Sequence, residues 1–316
     1  MSTLQYFGIT SPAASELFTL MNGKYRDALA SRPTPWGRMV SGWSSTSEPR
    51  QKFPIDLTSL AGFREWVDQR DHKDGDIASF YLDSKPWERT IDVPMAVLKA
   101  KAFQPYVDKV PGLVRAANSM PNIVVANLLK QGKTLKGWDD EPFFGTHLVD
   151  TRGGIPDTVD NLFTNKPFNA TTFAFAKKAF RAMKAPDGRT SLGLQLTHVL
   201  GGTEMEETFD QLFKRQIIAN AAGTAAETNL YVGGAIPIIA PELDANDEDG
   251  VWYGLALNTE AKPFEQQWEN DGNPNIKIMG DGSEFASQHN KMSFQGDLWG
   301  NGGYAIWHTI IRFEPT

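Results

Sequence analysis

The chain has 316 residues, no Cys, and 31 Lys+Arg against 38 Asp+Glu, for a formal net charge of -7; 41% of its residues are hydrophobic. Such a composition can fill a core, and it excludes a disordered tail, a collagen-like rod, a disulfide-stapled mini-domain, thiol chemistry and Cys-based metal centres. The acidic balance argues against a dedicated duplex-DNA reader, which carries a basic patch, but not against a protein that surrounds nucleic acid.

In chain order, residues 1–10 have no periodic pattern and read as an arm. Ser11 and Pro12 open a helix whose face carries Leu17, Leu20, Met21, Tyr25, Ala28 and Leu29, and Pro33 and Pro35 end it. Arg38 to Thr46 reads as extended. Ile77 to Asp83 alternates, with Phe80 and Leu82 on one side, and Trp87, Ile91 and Val93 continue in the same way. Between these lies Ser47 to Asp76, rich in charge and turn residues and poor in core residues. A connection of that length is expected to project toward a partner. The reading is a two-stranded ribbon that leaves the body and returns. Because an isolated ribbon is marginal in water, another chain is expected to cover it.

Helices resume at Pro94. A stripe of Tyr106, Val107, Val110, Leu113, Val114 and Ala117 is disturbed at Pro111-Gly112, and a new turn from Pro121 runs to Gly132. Together they form a long, bent spine. Residues 136–165 are loop-rich. A helix carrying Phe173, Ala176, Phe180 and Met183 follows, then a turn at Pro186-Asp187-Gly188 and an apolar strand from Leu192 to Leu200. Thr203 with Glu206 forms a capping box before a helix bearing Phe209, Leu212, Phe213 and Ile217. Asn229 to Ala240 is a strand broken at Gly233-Gly234. The tail is β-rich over Val251–Leu257, Ile276–Met279, Met292–Phe294 and Tyr304–Phe313. The class is α+β.

Enzyme signatures are missing: no nucleophile elbow, phosphate loop or paired-histidine zinc motif occurs. Gly280-Asp281-Gly282 reads as a turn. The acidic run Asp244 to Gly250 lacks the glycine and the distal glutamate of a calcium loop. His147, near Asp139–Glu141 and Asp150, is expected to bond backbone or carboxylate rather than a metal. His198 and His308 read as structural or interface residues. Trp138 to Phe144 could form a glycan-binding patch, but Trp138 and Phe144 read more simply as anchors of a long loop. Trp43, Trp66 and Trp87 are expected to be buried by a partner, because a thin ribbon cannot bury three tryptophans alone. Arg64, Glu65, Asp68 and Arg70 around Trp66 would supply ion pairs there. Those seven residues are the candidate subunit interface.

The order of elements resembles the Hong Kong 97 phage capsid fold. The run Phe63-Arg64-Glu65-Trp66-Val67-Asp68-Gln69-Arg70 looks like a segment of the Mu-like bacteriophage major head subunit (protein T) family, and so does Trp87-Glu88-Arg89-Thr90-Ile91-Asp92-Val93. Leu128 to Gly132, Glu141 to His147, Asn229-Leu230-Tyr231, Pro241-Glu242-Leu243, Trp252 to Leu255 and Gly303 to Trp307 follow in the family's order. The phenylalanine–histidine spacing differs by one residue, and Pro94-Met95-Ala96 stands where the family often has acidic residues.

The resemblance implies an N-terminal arm (residues 1–35), an extended loop (36–95), a peripheral domain with the spine helix (96–135 and 250–316) and an axial domain (136–249). It implies a structural protein, without enzymatic activity or cofactor, that assembles into pentamers and hexamers of an icosahedral shell around double-stranded DNA. Partners would be further copies of the chain, portal and scaffold proteins, and decoration proteins. The DNA would be enclosed without sequence-specific binding. The location would be the virion, after assembly in the bacterial host cytoplasm. No membrane partner is expected, since no secretory leader or run of about 20 apolar residues is present. The alternatives are an encapsulin-like compartment shell and, more remotely, a glycan-binding hydrolase. Lys52, Lys73 and Lys85 in the loop read as ordinary solvated lysines rather than cross-linking ones.

Overall fold

Local signals set the helices in a computed structural model of the chain, which describes residues 4–56, 77–149, 157–184, 191–219, 226–246 and 249–316. The Ser11 Oγ accepts the Ala14 N–H at 3.3 Å, and Pro12 begins helix Pro12–Ala30. Its buried face is Ala14, Leu17, Phe18, Met21 and Tyr25; Leu20, expected on that face, is exposed. The spine is one uninterrupted helix, Val110–Gln131. Pro111 stands in its first turn, where a missing N–H costs nothing, so it starts the helix instead of disturbing it. Pro121 lies inside the helix and opens no new turn, and its carbonyl accepts a hydrogen bond from the Gln266 amide of the sheet below. Helix Ala170–Ala182 is closed by a reciprocal box: the Asn169 side chain accepts the Thr172 N–H, and the Thr172 hydroxyl accepts the Asn169 N–H.

The box expected at Thr203 and Glu206 does not form. Asp244 takes both the Thr203 N–H (2.7 Å) and its hydroxyl (2.5 Å), and helix Glu206–Phe213 follows a short 3-10 turn. Ile217 is on a separate short strand, Ile217–Ala219. The expected Leu192–Leu200 strand is regular only from His198, running on to Gly201, and only Ile236–Ile239 of the expected Asn229–Ala240 strand is regular. Residues 36–39 are a helical turn, leaving Ser41–Ser45 as the extended piece. The turn expected at Pro186-Asp187-Gly188 lies outside the described residues.

Strand Lys291–Tyr304 organises a six-stranded sheet. Asp297 pairs with Asn275 on one edge and Glu88 on the other, and Gly300 likewise pairs with Trp268 and Lys85. Strand Leu4–Phe7 runs parallel to Asn275–Met279, so residues 4–7 are sheet rather than free arm. Ser41–Ser45 runs parallel to Phe264–Trp268. The long strand contains Gly296, Gly300, Gly302 and Gly303, which hid it from hydropathy. They mark close approach: a Cβ on Gly300 would enter the Trp268 ring, and one on Gly303 would meet Leu82.

A second sheet runs Ile236–Ile239, His198–Gly201, Trp252–Leu255, Ile310–Phe313, Leu162–Phe163. Two of its inner strands, Trp252–Leu255 and Ile310–Phe313, come from the region that the resemblance assigns to the peripheral domain. Its core is aromatic, with Trp252 stacked on Phe313 at 4.1 Å and Phe168, Phe173, Phe209 and Phe213 in edge contacts. Phe143, fully buried against Tyr304 (4.3 Å) and Phe264, ties this lobe to the large sheet. Among the described residues no helix is long and apolar enough to cross a membrane.

Candidate functional site

The ribbon is narrower than its sequence suggested. Arg50–Asp56 and Ile77–Asp83 pair with each other, residue for residue, and with no other strand among the described residues. Ser41–Ser45 and Lys85–Pro94, expected as its lower arms, belong to the large sheet. Alternation gives the ribbon two faces. Gln51, Phe53, Phe80 and Leu82 share one, with Phe53 stacked on Phe80 at 5.5 Å. Arg50, Lys52, Tyr81 and Asp83 share the other. There the Arg50 guanidinium lies 4.7 Å from the centre of the exposed Tyr81 ring and 3.5 Å from the Asp83 carboxylate.

Four polar contacts fix the base of the ribbon. The Ser84 N–H donates to the Pro49 carbonyl at 2.7 Å and the Ser44 hydroxyl to Gln51 Oε1 at 2.9 Å. The Gln267 amide donates to the Leu82 carbonyl at 3.3 Å and the Asn301 amide to the Asp83 carbonyl at 3.0 Å. Gly42, Glu265 and Gly303 stand side by side on the sheet below. The Glu265 carboxylate lies over Gly42, in the space a side chain there would fill. Burial pushes its pKa up to about 7.

Of the seven candidate interface residues, Arg64, Glu65, Trp66, Asp68 and Arg70 lie outside the described residues, as does Lys73. Trp43 and Trp87 are placed on the large sheet, not on the ribbon, and on the face turned toward the spine helix. Each has partners within the chain. Trp43 stacks on Trp268 at 6.2 Å, donates from Nε1 to Asp271 at 2.7 Å and carries the Arg38 guanidinium at 4.3 Å from its ring centre. Trp87 donates from Nε1 to the Gly300 carbonyl at 3.1 Å. Both remain partly exposed. The strands that give these tryptophans a body to pack on lie far away in sequence. Lys52 and Lys85 are exposed.

The Trp138–Phe144 segment turns inward. Phe143 and Phe144 are fully buried, and Asn161 fixes them by accepting the Gly145 N–H and donating to the Phe143 carbonyl. His147 bonds a carboxylate, as expected: Nδ1 lies 2.6 Å from Asp139 Oδ2. Burial raises the Asp139 pKa, but the hydrogen bond and charge of His147 outweigh it and leave it lowered. The His147 ring stacks on Trp307 at 3.8 Å, and Trp307 stacks on His308 at 3.6 Å. Burial, with the nearby His147, holds the His308 pKa down to about 3, so it is a neutral core residue. Among the described residues no group of three or more His, Asp or Glu is arranged to hold a metal ion. Sequence reasoning missed Glu265, and it also missed Leu230, 87% exposed beside an open groove lined by Phe168 and Tyr231.

Comparison with known proteins agrees with this geometry. Residues 14–166 match the family model of the Mu-like prophage major head subunit, gpT. That match, over just under half of the chain, identifies a major capsid (head) protein of a tailed phage.

Solved structures give the fold of this head subunit as that of Hong Kong 97-type capsid proteins. The procapsid protein of bacteriophage JBD30 is similar at 19% identity and TM-score 0.57, over 96% of this chain and 75% of that one. The capsid protein of a native GTA particle is similar at 10% identity and TM-score 0.55, over 89% and 90%. An encapsulin from Synechococcus elongatus is a fold relative at 9% identity and TM-score 0.50, over 93% and 95%. No curated protein matches the chain.

Proposed function

We propose that this head subunit forms pentamers and hexamers that close an icosahedral shell around double-stranded DNA, acting by assembly and not by catalysis. The family match carries the reading, and the projecting ribbon, with its exposed Arg50–Tyr81–Asp83 face, supports it. In this proposal residues 36–95 contain the loop that overlaps a neighbouring subunit, and the ribbon Arg50–Asp56 with Ile77–Asp83 is its described part. Arg64, Glu65, Trp66, Asp68 and Arg70 make the contact, and Trp43 and Trp87 anchor the loop base. Residues 1–35 are the arm, and residues 96–135 with 250–316 are the peripheral domain. Residues 136–249 are the axial domain, its sheet shared with two strands from the peripheral segment, Trp252–Leu255 and Ile310–Phe313. Each contact is weak, and repetition around a closed shell makes the particle stable.

Portal, scaffold and decoration proteins are the further partners proposed, with no cofactor. A net charge of -7 suits a lining that does not grip DNA during packaging. A strongly basic inner surface in the assembled particle would contradict that point.

Sedimentation and negative-stain microscopy of the expressed chain test the reading. The expected result is a megadalton shell or its capsomers; a stable, catalytically active monomer overturns it. Particles that retain a co-expressed enzyme instead of a genome would favour the encapsulin-like alternative. Trp66→Asp is expected to leave the chain folded by circular dichroism and to block shell formation.

A further inference from the structure

The sheet face under the ribbon holds an ionisable group where a neutral one would be expected. Glu265 stands between Gly42 and Gly303 on adjacent strands. Leu82 and Phe80 of the ribbon fill the space above Gly303. Facing Glu265, strand Ser41–Ser45 brings Gly42 and Ser44, and the long strand brings Asn301 and Gly303. The ribbon brings Gln51, Phe53, Phe80 and Leu82. None of these titrates. The charged groups of the ribbon base, Arg50, Lys52 and Asp83, lie on its opposite face. Among the described residues the Glu265 carboxylate has no ion pair and no side-chain hydrogen bond.

The same face carries a buried acceptor, Gln267 Oε1, with no donor. A bare negative charge two residues along, on a carboxylate only partly open to water, adds a second acceptor with no protein donor. A protonated carboxyl adds a donor instead. The half-buried carboxyl therefore has one form that suits a seated ribbon and one that does not.

We propose that Glu265 is a proton-operated latch beneath the β-ribbon: protonated, it lets Leu82 and Phe80 seat on the sheet, and ionised, it draws water in and lifts the ribbon base. The raised pKa of this group places the change near neutral pH. The latch rests on the geometry of the single chain. Only its consequence, that ribbon orientation toward a neighbouring subunit is coupled to pH, rests on the proposed interface role.

Hydrogen–deuterium exchange on the purified full chain tests it, with rates corrected for the intrinsic pH dependence of amides. Protection of amides in 50–56 and 77–84 is expected to be roughly tenfold lower at about pH 8.5 than at about pH 5.5, while spine-helix amides keep theirs. Glu265→Gln is expected to hold the ribbon protected at both pH values. Glu265→Met, apolar and of similar volume, carries the same expectation should the amide variant misfold. The proposal is overturned by a native ribbon that does not respond to pH, by a variant that responds like the native chain, or by a loss shared with the spine helix. A flat response with normal shells would remove the latch and leave the proposed function standing.

Discussion

The two faces of strand Phe264–Trp268 are built to opposite standards, residue by residue. Phe264, Gln266 and Trp268 point toward the spine helix. Gln266 donates to the Gly37 carbonyl and the Ser41 hydroxyl, and its Oε1 accepts the Trp268 Nε1–H at 2.7 Å. Glu265 and Gln267 point toward the ribbon, and there one amide oxygen has no donor and one carboxylate has no cation. The spine face leaves little reason to move. The ribbon face is held by a few amide bonds and by the protonation of one side chain. Rigidity is concentrated on one side of the sheet and adaptability on the other.

The largest expected effect comes from the spine face. Trp268→Ala removes a fully buried ring and should cost about 3–5 kcal/mol in urea unfolding of the unassembled chain. Gln267→Leu, next to it but on the ribbon face, removes a weak 3.3 Å bond together with an orphan acceptor. It should change stability by less than about 1 kcal/mol. Equal losses from the two would erase the contrast.

Glycine substitutions sharpen the same comparison. Gly300→Ala drives a methyl into the Trp268 ring and the Gln267 carbonyl, which cannot yield, and should cost roughly 2–3 kcal/mol. Gly303→Ala meets the tip of Leu82 at the ribbon base, which can shift, so about 1 kcal/mol is expected. Thermal melts on both variants give the order; a larger loss at Gly303 would mean that the ribbon is the more rigid partner.

These glycines also show what the sequence could and could not reveal. The helices were legible because their signals are local: Ser11-Pro12, the stripe of the spine, and Phe173 to Phe180. The ribbon was legible from Phe80 and Leu82 and from a connection poor in core residues. The long strand was not, because its side-chain positions at 296, 300, 302 and 303 are filled by Leu113, Trp268, Val124 and Leu82, contributed from elsewhere. Pro121 looked like a boundary because a lone sequence cannot show the packing that carries a helix through a proline. Trp43 and Trp87 were assigned to the ribbon because the strands beside them, Phe264–Trp268 and the long strand, lie more distant in sequence than any local pattern reaches. Glu265, in the run Phe-Glu-Gln-Gln-Trp, has no apolar alternation to announce a strand.

The remaining expected effects are pH dependences, and they have opposite signs. His308 is neutral in the fold, with a pKa down to about 3, so the unfolded chain binds its proton first as pH falls. Its contribution is present above the ordinary histidine pKa of about 6.5 and is lost as pH drops toward 3, an upper limit of roughly 5 kcal/mol. Glu265 works the other way. Its folded pKa is raised from 4.5 to about 7, so its contribution is complete below 4.5 and is lost as pH rises through 7. Partial exposure reduces this to on the order of 1 kcal/mol. The two windows overlap, and the larger histidine effect masks the carboxylate in the native chain. His308→Phe, which keeps a ring in the stack on Trp307, should therefore expose a stability that declines from about pH 5 to pH 8. Adding Glu265→Gln should flatten that decline. If the double variant still declines, the carboxylate responsible lies elsewhere and the ribbon face holds no titrating group.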